Sequence, residues 1–146
     1  MAVVSHLAIV GCGLIGSSIA RAAIGSGAVE TVTLYDASAD VRDRARRLDI
    51  GAVHDKLTSC VNDADLVMLC VPVGGMAAVA TEIAGSLKPG ALVSDVGSVK
   101  SAVYEAVQPH LPDGVHFIPG HPIAGTEKSG PEAGFASLFS GRWCIL

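Results

Sequence analysis

Charge is scarce in this chain of 146 residues: Asp, Glu, Lys and Arg make up 16 %, the formal net charge is -4 and the isoelectric point is near 5.6. A surface for nucleic acid needs a basic excess, and none exists, so nucleic-acid binding is excluded as a function class. A basic leader is also missing. The apolar start, MAVVSHLAIVGCG, is interrupted by Ser5 and His6 and stopped by Gly11, which fits neither a signal peptide nor a membrane span. The expected location is the cytoplasm, with no membrane partner. Cys12, Cys60, Cys70 and Cys144 form no CxxC pair and have no histidine at zinc-like spacing, which argues against a disulfide framework and a metal centre. They read as reduced, mostly buried small hydrophobes. Repeats, low-complexity tracts and linkers are absent as well.

What is present is apolar and periodic. Half of the residues are hydrophobic, enough to rule out disorder, and the length suits one domain. Strand-like β-branched runs at 7–11, 31–36, 64–72, 91–97 and 115–120 alternate with alanine-rich helical segments at 14–27, 38–51, 74–90 and 99–111. Continuous apolar strands separated by helices predict an α/β fold with a mainly parallel, doubly wound sheet covered on both faces. The closing GRWCIL (141–146) reads as the beginning of another strand, so the expectation is one cofactor domain, residues 1–146, with a further domain beyond it.

The stretch IVGCGLIGSSIA places Gly11, Gly13 and Gly16 in G-x-G-x-x-G spacing between the first strand and the first helix, with Leu14 and Ile15 inside the turn. Gly11 permits the tight turn, Gly13 lets a pyrophosphate approach the backbone, and Gly16 permits close helix–strand packing. Asp36 ends the next strand 20 residues after Gly16. Its carboxylate accepts from the ribose hydroxyls and repels a 2′-phosphate, which makes this a Rossmann-type fold for NAD rather than NADP. Arg42, Arg44, Arg46 and Arg47 stand just beyond the acid, where an arginine can accept a 2′-phosphate. They alternate with Asp40, Asp43 and Asp49, which favours a solvated, internally paired face. Val71 and Pro72 in CVPVGG (70–75) either line the cofactor cleft or only turn the chain.

Ser98, in SDVGSVKSAVYEAV (94–107), begins a helix. A serine there is first of all an N-cap, yet its place at the carboxyl edge of the sheet also lets its hydroxyl face the nicotinamide pocket. GHPIAGTEKSG (120–130) is too small and polar for a strand and too rich in glycine and proline for a helix. Among five histidines, His121 alone stands on such a stiffened loop at that edge; as a neutral imidazole it suits the base that takes a hydroxyl proton while hydride departs.

Together GCGLIGSS, DVGSVK and GHPIAGTEKSGPEAG resemble the prephenate/arogenate (cyclohexadienyl) dehydrogenases of tyrosine biosynthesis, over the whole chain. The resemblance implies that His121 contacts the ring 4-hydroxyl of the substrate and that Ser98 orients that hydroxyl and the nicotinamide. It implies that Thr126 and Glu127 line the substrate pocket, with Lys128 and Ser129 shaping the loop. It also implies oxidative decarboxylation of prephenate to 4-hydroxyphenylpyruvate or of arogenate to tyrosine. Family enzymes continue into a helical domain that forms the homodimer and supplies a substrate-binding arginine. The resemblance implies that these residues stop before that domain, and the expectation is NAD binding with weak or no turnover by these residues alone. Two other readings stand beside this one. A β-hydroxyacid dehydrogenase nucleotide domain shares the glycine turn but gives no reason for GHPIAGTEKSG; a stand-alone NAD-binding module predicts binding indifferent to His121 and Ser98.

Overall fold

The computed structural model describes residues 1–146. The hydrophobic pattern of β1 (Val4–Val10) sets the layers, because alternate side chains of a strand point to opposite faces. Leu7 and Ile9 enter one core with Val32 and Leu34 of β2 (Val29–Tyr35). Ala8 and Val10 enter the other with Val67 and Leu69 of β4 (Leu66–Leu69) and Val93 of β5 (Leu92–Asp95). With β3 (Ala52–Val53) and β6 (His116–Ile118), these strands make a six-stranded, wholly parallel sheet in the order β3-β2-β1-β4-β5-β6.

Helices α1 (Leu14–Ser26) and α2 (Ala39–Arg46) cover the first face through Ala20 and Ala45. The second face is covered by α3 (Leu57–Val61), α4 (Val73–Ile83) and α5 (Lys100–Val107) through Val61, Met76, Ala80, Val103 and Val107. Strands β1 and β4 are neighbours whose following helices leave to opposite faces. That divergence opens a crevice at their carboxyl ends, the place where doubly wound sheets take ligands. This is the α/β, Rossmann-type architecture the periodicity implies, and no helix is long and apolar enough to cross a membrane.

Several boundaries differ from those read in the sequence. The second helix stops at Arg46, not residue 51; Asp49 and Gly51 adopt positive φ (52° and 140°) and turn the chain into β3 and then α3, two short elements that periodicity does not reveal. The segments 74–90 and 99–111 finish as 3-10 turns, Ala84–Ser86 and Gln108–His110. GHPIAGTEKSG is not wholly irregular: His121–Pro122 forms a short strand, β7, antiparallel to β8 (Cys144–Ile145), with His121 opposite Ile145. Composition hides it because each strand is only two residues long.

Candidate functional site

The glycine turn closes β1 against β4. Gly11 has φ +102°, a left-handed conformation open to glycine, and a Cβ there would strike the Cys70 carbonyl oxygen and lie 3.2 Å from Val71 N. A Cβ on Gly16 would strike the Gly11 carbonyl oxygen and crowd Ile9 Cγ2 at 3.1 Å, so the helix can approach the strand only without it. Gly13 differs: it is the N-cap of α1, no side chain caps the helix, and nothing lies within 4 Å of where its Cβ would be. The opening beside Gly13 meets the first-turn N–H groups of Leu14, Ile15 and Gly16, which helix geometry leaves without intrahelical acceptors. It is a cradle for an anionic group. Val71 follows Cys70 beside Gly11 and packs against the second core, and Pro72 is the N-cap residue of α4.

Asp36 is bound into the same turn. Its Oδ2 accepts from Cys12 N at 2.9 Å and its Oδ1 from Ser38 N at 2.9 Å, so the carboxylate is fixed between the glycine turn and the start of α2. Ser38 caps that helix by accepting from Val41 N at 3.3 Å. Arg42, Arg44 and Arg46 form the paired face expected of them, with partners partly outside the helix, whereas Arg47 and Asp49, beyond the end of α2, take no ion pair. Arg44 meets Asp40 and Glu132, Arg46 meets Asp43 and Asp55, and Arg42 meets Asp55. Burial, then the Asp36 charge, pushes the Cys12 thiol up to about 12; burial pushes Cys60 up to about 11 and Cys70 higher still. These three are neutral packing groups, whereas Cys144 is exposed.

At the carboxyl end of β5, Asp95 is 1 % exposed and fully used. Its Oδ2 accepts from Gly97 N at 2.7 Å and from Lys100 Nζ at 2.5 Å, and its Oδ1 accepts from Gly120 N at 3.1 Å. Lys100 Nζ also donates to the Gly120 carbonyl at 2.5 Å. One ion pair therefore engages both peptide groups of the residue that precedes His121. Ser98 lies two positions before Lys100, so the same pair draws the segments bearing Ser98 and His121 to one edge. Ser98 is exposed and is not the cap: the cap position is Val99, with no side-chain bond. The capping role is thus not realised, because the helix begins one residue later than a serine cap requires.

Residues Thr126, Glu127, Lys128 and Ser129 are exposed on an open loop, tied locally by Lys128 N donating to Thr126 Oγ1 at 3.2 Å. They are not folded onto His121. The loop is anchored again at its far end. Arg44 forks onto Glu132 (Nε to Oε1 2.7 Å), Arg21 donates to the Pro131 carbonyl at 3.0 Å, and Phe135 N donates to Ser18 Oγ at 3.1 Å. Residues 120–135 thus leave the β5–β6 side of the sheet and end on α1 and α2. A cavity of about 240 Å3 lies under Gly120 and Pro122, bounded by Met68, Ile19 and Leu146.

This arrangement matches a known family: the model of the prephenate dehydrogenase nucleotide-binding domain fits residues 19–146. The chain belongs to that family. It is 50 % identical to the cyclohexadienyl dehydrogenase of Zymomonas mobilis over 100 % of this chain and 50 % of that protein. A prephenate dehydrogenase structure from A. aeolicus, in complex with hydroxyphenyl propionate and NAD+, superposes with a TM-score of 0.81 at 30 % identity, covering 96 % of this chain and 49 % of that one. The Synechocystis arogenate dehydrogenase superposes at 0.84, with 26 % identity over 95 % and 48 %. The chain spans about half the length of each of these relatives.

Asp95, Lys100, Asp55 and Glu132 escaped the sequence reading. The signal for the first pair was an acid closing a strand and a lysine opening the next helix across a glycine; the others join elements that only the fold brings together.

Proposed function

We propose that this chain is the NAD-binding domain, residues 1–146, of a prephenate or arogenate dehydrogenase acting in tyrosine biosynthesis in the cytoplasm, whose whole form is a homodimer. The supporting observation is that the family's nucleotide domain carries here, on one sheet edge, both the Gly13 cradle with Asp36 and the Ser98 and His121 segments joined by Lys100.

Gly11, Gly13, Leu14, Ile15 and Gly16 hold the pyrophosphate of the dinucleotide, Asp36 its adenosine ribose, and Val71, Pro72 and Ser98 flank its nicotinamide end. The opening at Gly13 and the fixed carboxylate at Asp36 fit that ligand. Bound NAD supplies the hydride acceptor. The residues of the chain manage the rest: His121, neutral, accepts the proton of the ring 4-hydroxyl as the carbon–hydrogen bond at that carbon breaks. Ser98 orients the hydroxyl, and Thr126 and Glu127, on the loop shaped by Lys128 and Ser129, close over the substrate. Release of the ring carboxylate as CO2 leaves its electron pair in the ring, and aromatisation drives the step forward.

The test is His121→Asn in the whole protein, with both substrates and NAD. Loss of a general base lowers kcat by about 10²–10⁴. Cofactor affinity, read by calorimetry, stays within about twofold because the Gly11–Gly16 turn and Asp36 are untouched. An unchanged kcat would remove His121 from the chemistry, and no turnover of either substrate by the unmodified protein would reject the activity itself.

A further inference from the structure

Asp55 is remote in sequence from the glycine turn, in the connection between β3 and α3. Its Oδ1 nevertheless accepts from Arg42 Nε at 3.2 Å and from Arg46 at 2.6 Å. Arg42 is the important partner, because it is built into the ribose turn: its guanidinium donates to the carbonyls of Asp36 (2.8 Å) and Ala37 (3.2 Å) and lies 5.7 Å from the centre of the Tyr35 ring. Its side chain is only 15 % exposed while that of Asp55 is 70 % exposed. A largely covered cation thus stands at the residue that receives the ribose, and an arginine placed just past the ribose acid is the usual means of accepting a 2′-phosphate.

We propose that Asp55 is a second determinant of cofactor selection, a positioning residue whose carboxylate holds and neutralises Arg42 beside Asp36, so that a 2′-phosphate finds no uncompensated cation at the turn. This rests on the NAD reading above. Asp36 acts on the ribose directly, while Asp55 acts through Arg42. The two guanidinium bonds, Arg46 first and Arg42 second, hold the Asp55 carboxyl below the usual carboxylate range. Replacing it with asparagine changes the charge at the turn by one unit and leaves the Asp36 side chain itself unaltered.

The experiment is calorimetric titration with NAD and with NADP of the unmodified protein, Asp36→Ser, Asp55→Asn, the double variant, and the double variant carrying Arg42→Met. Asp36→Ser is expected to weaken NAD about tenfold and to admit NADP. Adding Asp55→Asn tightens NADP about fivefold further, with NAD changed by less than about twofold, and the gain shrinks at high salt. Arg42→Met removes the gain, and Asp55→Glu, which keeps the charge, restores the selectivity of Asp36→Ser alone. A merely structural role moves both affinities together; an unchanged NADP-to-NAD ratio on adding Asp55→Asn would overturn the proposal, as would a gain that survives Arg42→Met. Failure of the unmodified protein to bind NAD would overturn both this inference and the reading beneath it.

Discussion

Lys100 Nζ stands 2.5 Å from Oδ2 of Asp95, a residue with 1 % exposure, and this pair holds Gly120, the residue before His121, by both its N–H and its C=O. Removing one partner of a buried ion pair strands the other charge. Lys100→Met leaves Asp95 with two N–H donors and no cation, and is expected to cost about 3 kcal/mol of stability. Urea unfolding measures it; a loss below about 1 kcal/mol would mean that the backbone donors suffice. Adding Asp95→Asn to Lys100→Met is expected to cost much less than the sum of the single changes, since both disrupt one network.

Two glycines three residues apart should fail in different ways. Gly13→Ala puts a methyl into open space at a helix N-cap, so stability should fall by no more than about 1 kcal/mol, while NAD affinity drops at least about tenfold because the methyl occupies the cradle. Gly16→Ala drives a methyl into the Gly11 carbonyl and should cost about 1–3 kcal/mol as well as the cofactor. Melting curves with and without NAD separate the two outcomes. Equal loss of stability in both variants would refute the distinction.

Alkaline instability follows from the thiols. Cys12 and Cys60 ionise near 9 when unfolded but are held up to about 12 and about 11 by burial, with Cys70 raised too. The fold keeps these protons while the unfolded chain loses them, so their contribution is complete below pH 9 and declines as pH rises through the folded values. The melting temperature should begin to fall as pH rises past 9. In the folded protein, iodoacetamide should modify Cys144 first and leave Cys12 and Cys60 unmodified.

The far anchor of the loop is an ion pair of another kind, partly exposed and forked. Arg44, chiefly through its hydrogen bonds, holds the Glu132 carboxyl down to about 2. Its contribution is present above the ordinary glutamate value and lost as pH falls toward about 2. With Glu132→Gln, backbone amides of residues 130–135 should exchange several-fold faster at neutral pH, and those of β1 and β4 should not. Unaltered exchange there would show that Arg21 and Ser18 hold the segment without the pair.

Much of this was readable from residue order because long, regular elements leave a period. The runs around β1, β2, β4 and β5 each obey a local rule, and the structure forms strands where that rule requires; the glycine turn lies between β1 and α1, and Asp36 directly follows β2. What was missed depends on short elements and on partners brought together by the fold. β3 and β7 have two residues each, too few for alternation to register, and they draw their hydrogen bonds from strands far away in sequence. Ser98 was read as a cap because serine prefers that position, but α5 begins at Lys100, whose side chain pairs with the buried Asp95, and Val99 takes the cap position. The α2 arginines were legible as a paired face, whereas their partners Asp55 and Glu132 were not, since neither lies on the helix.

His121 and Ile145 face one another across a two-stranded ribbon although 23 residues separate them along the chain. The imidazole's seat is therefore specified twice, once by the β5–β6 framework behind it and once by the strand that returns to lie alongside. A change in the length of the intervening segment would shift one specification against the other, so the number of residues between the two strands is constrained separately from their chemistry.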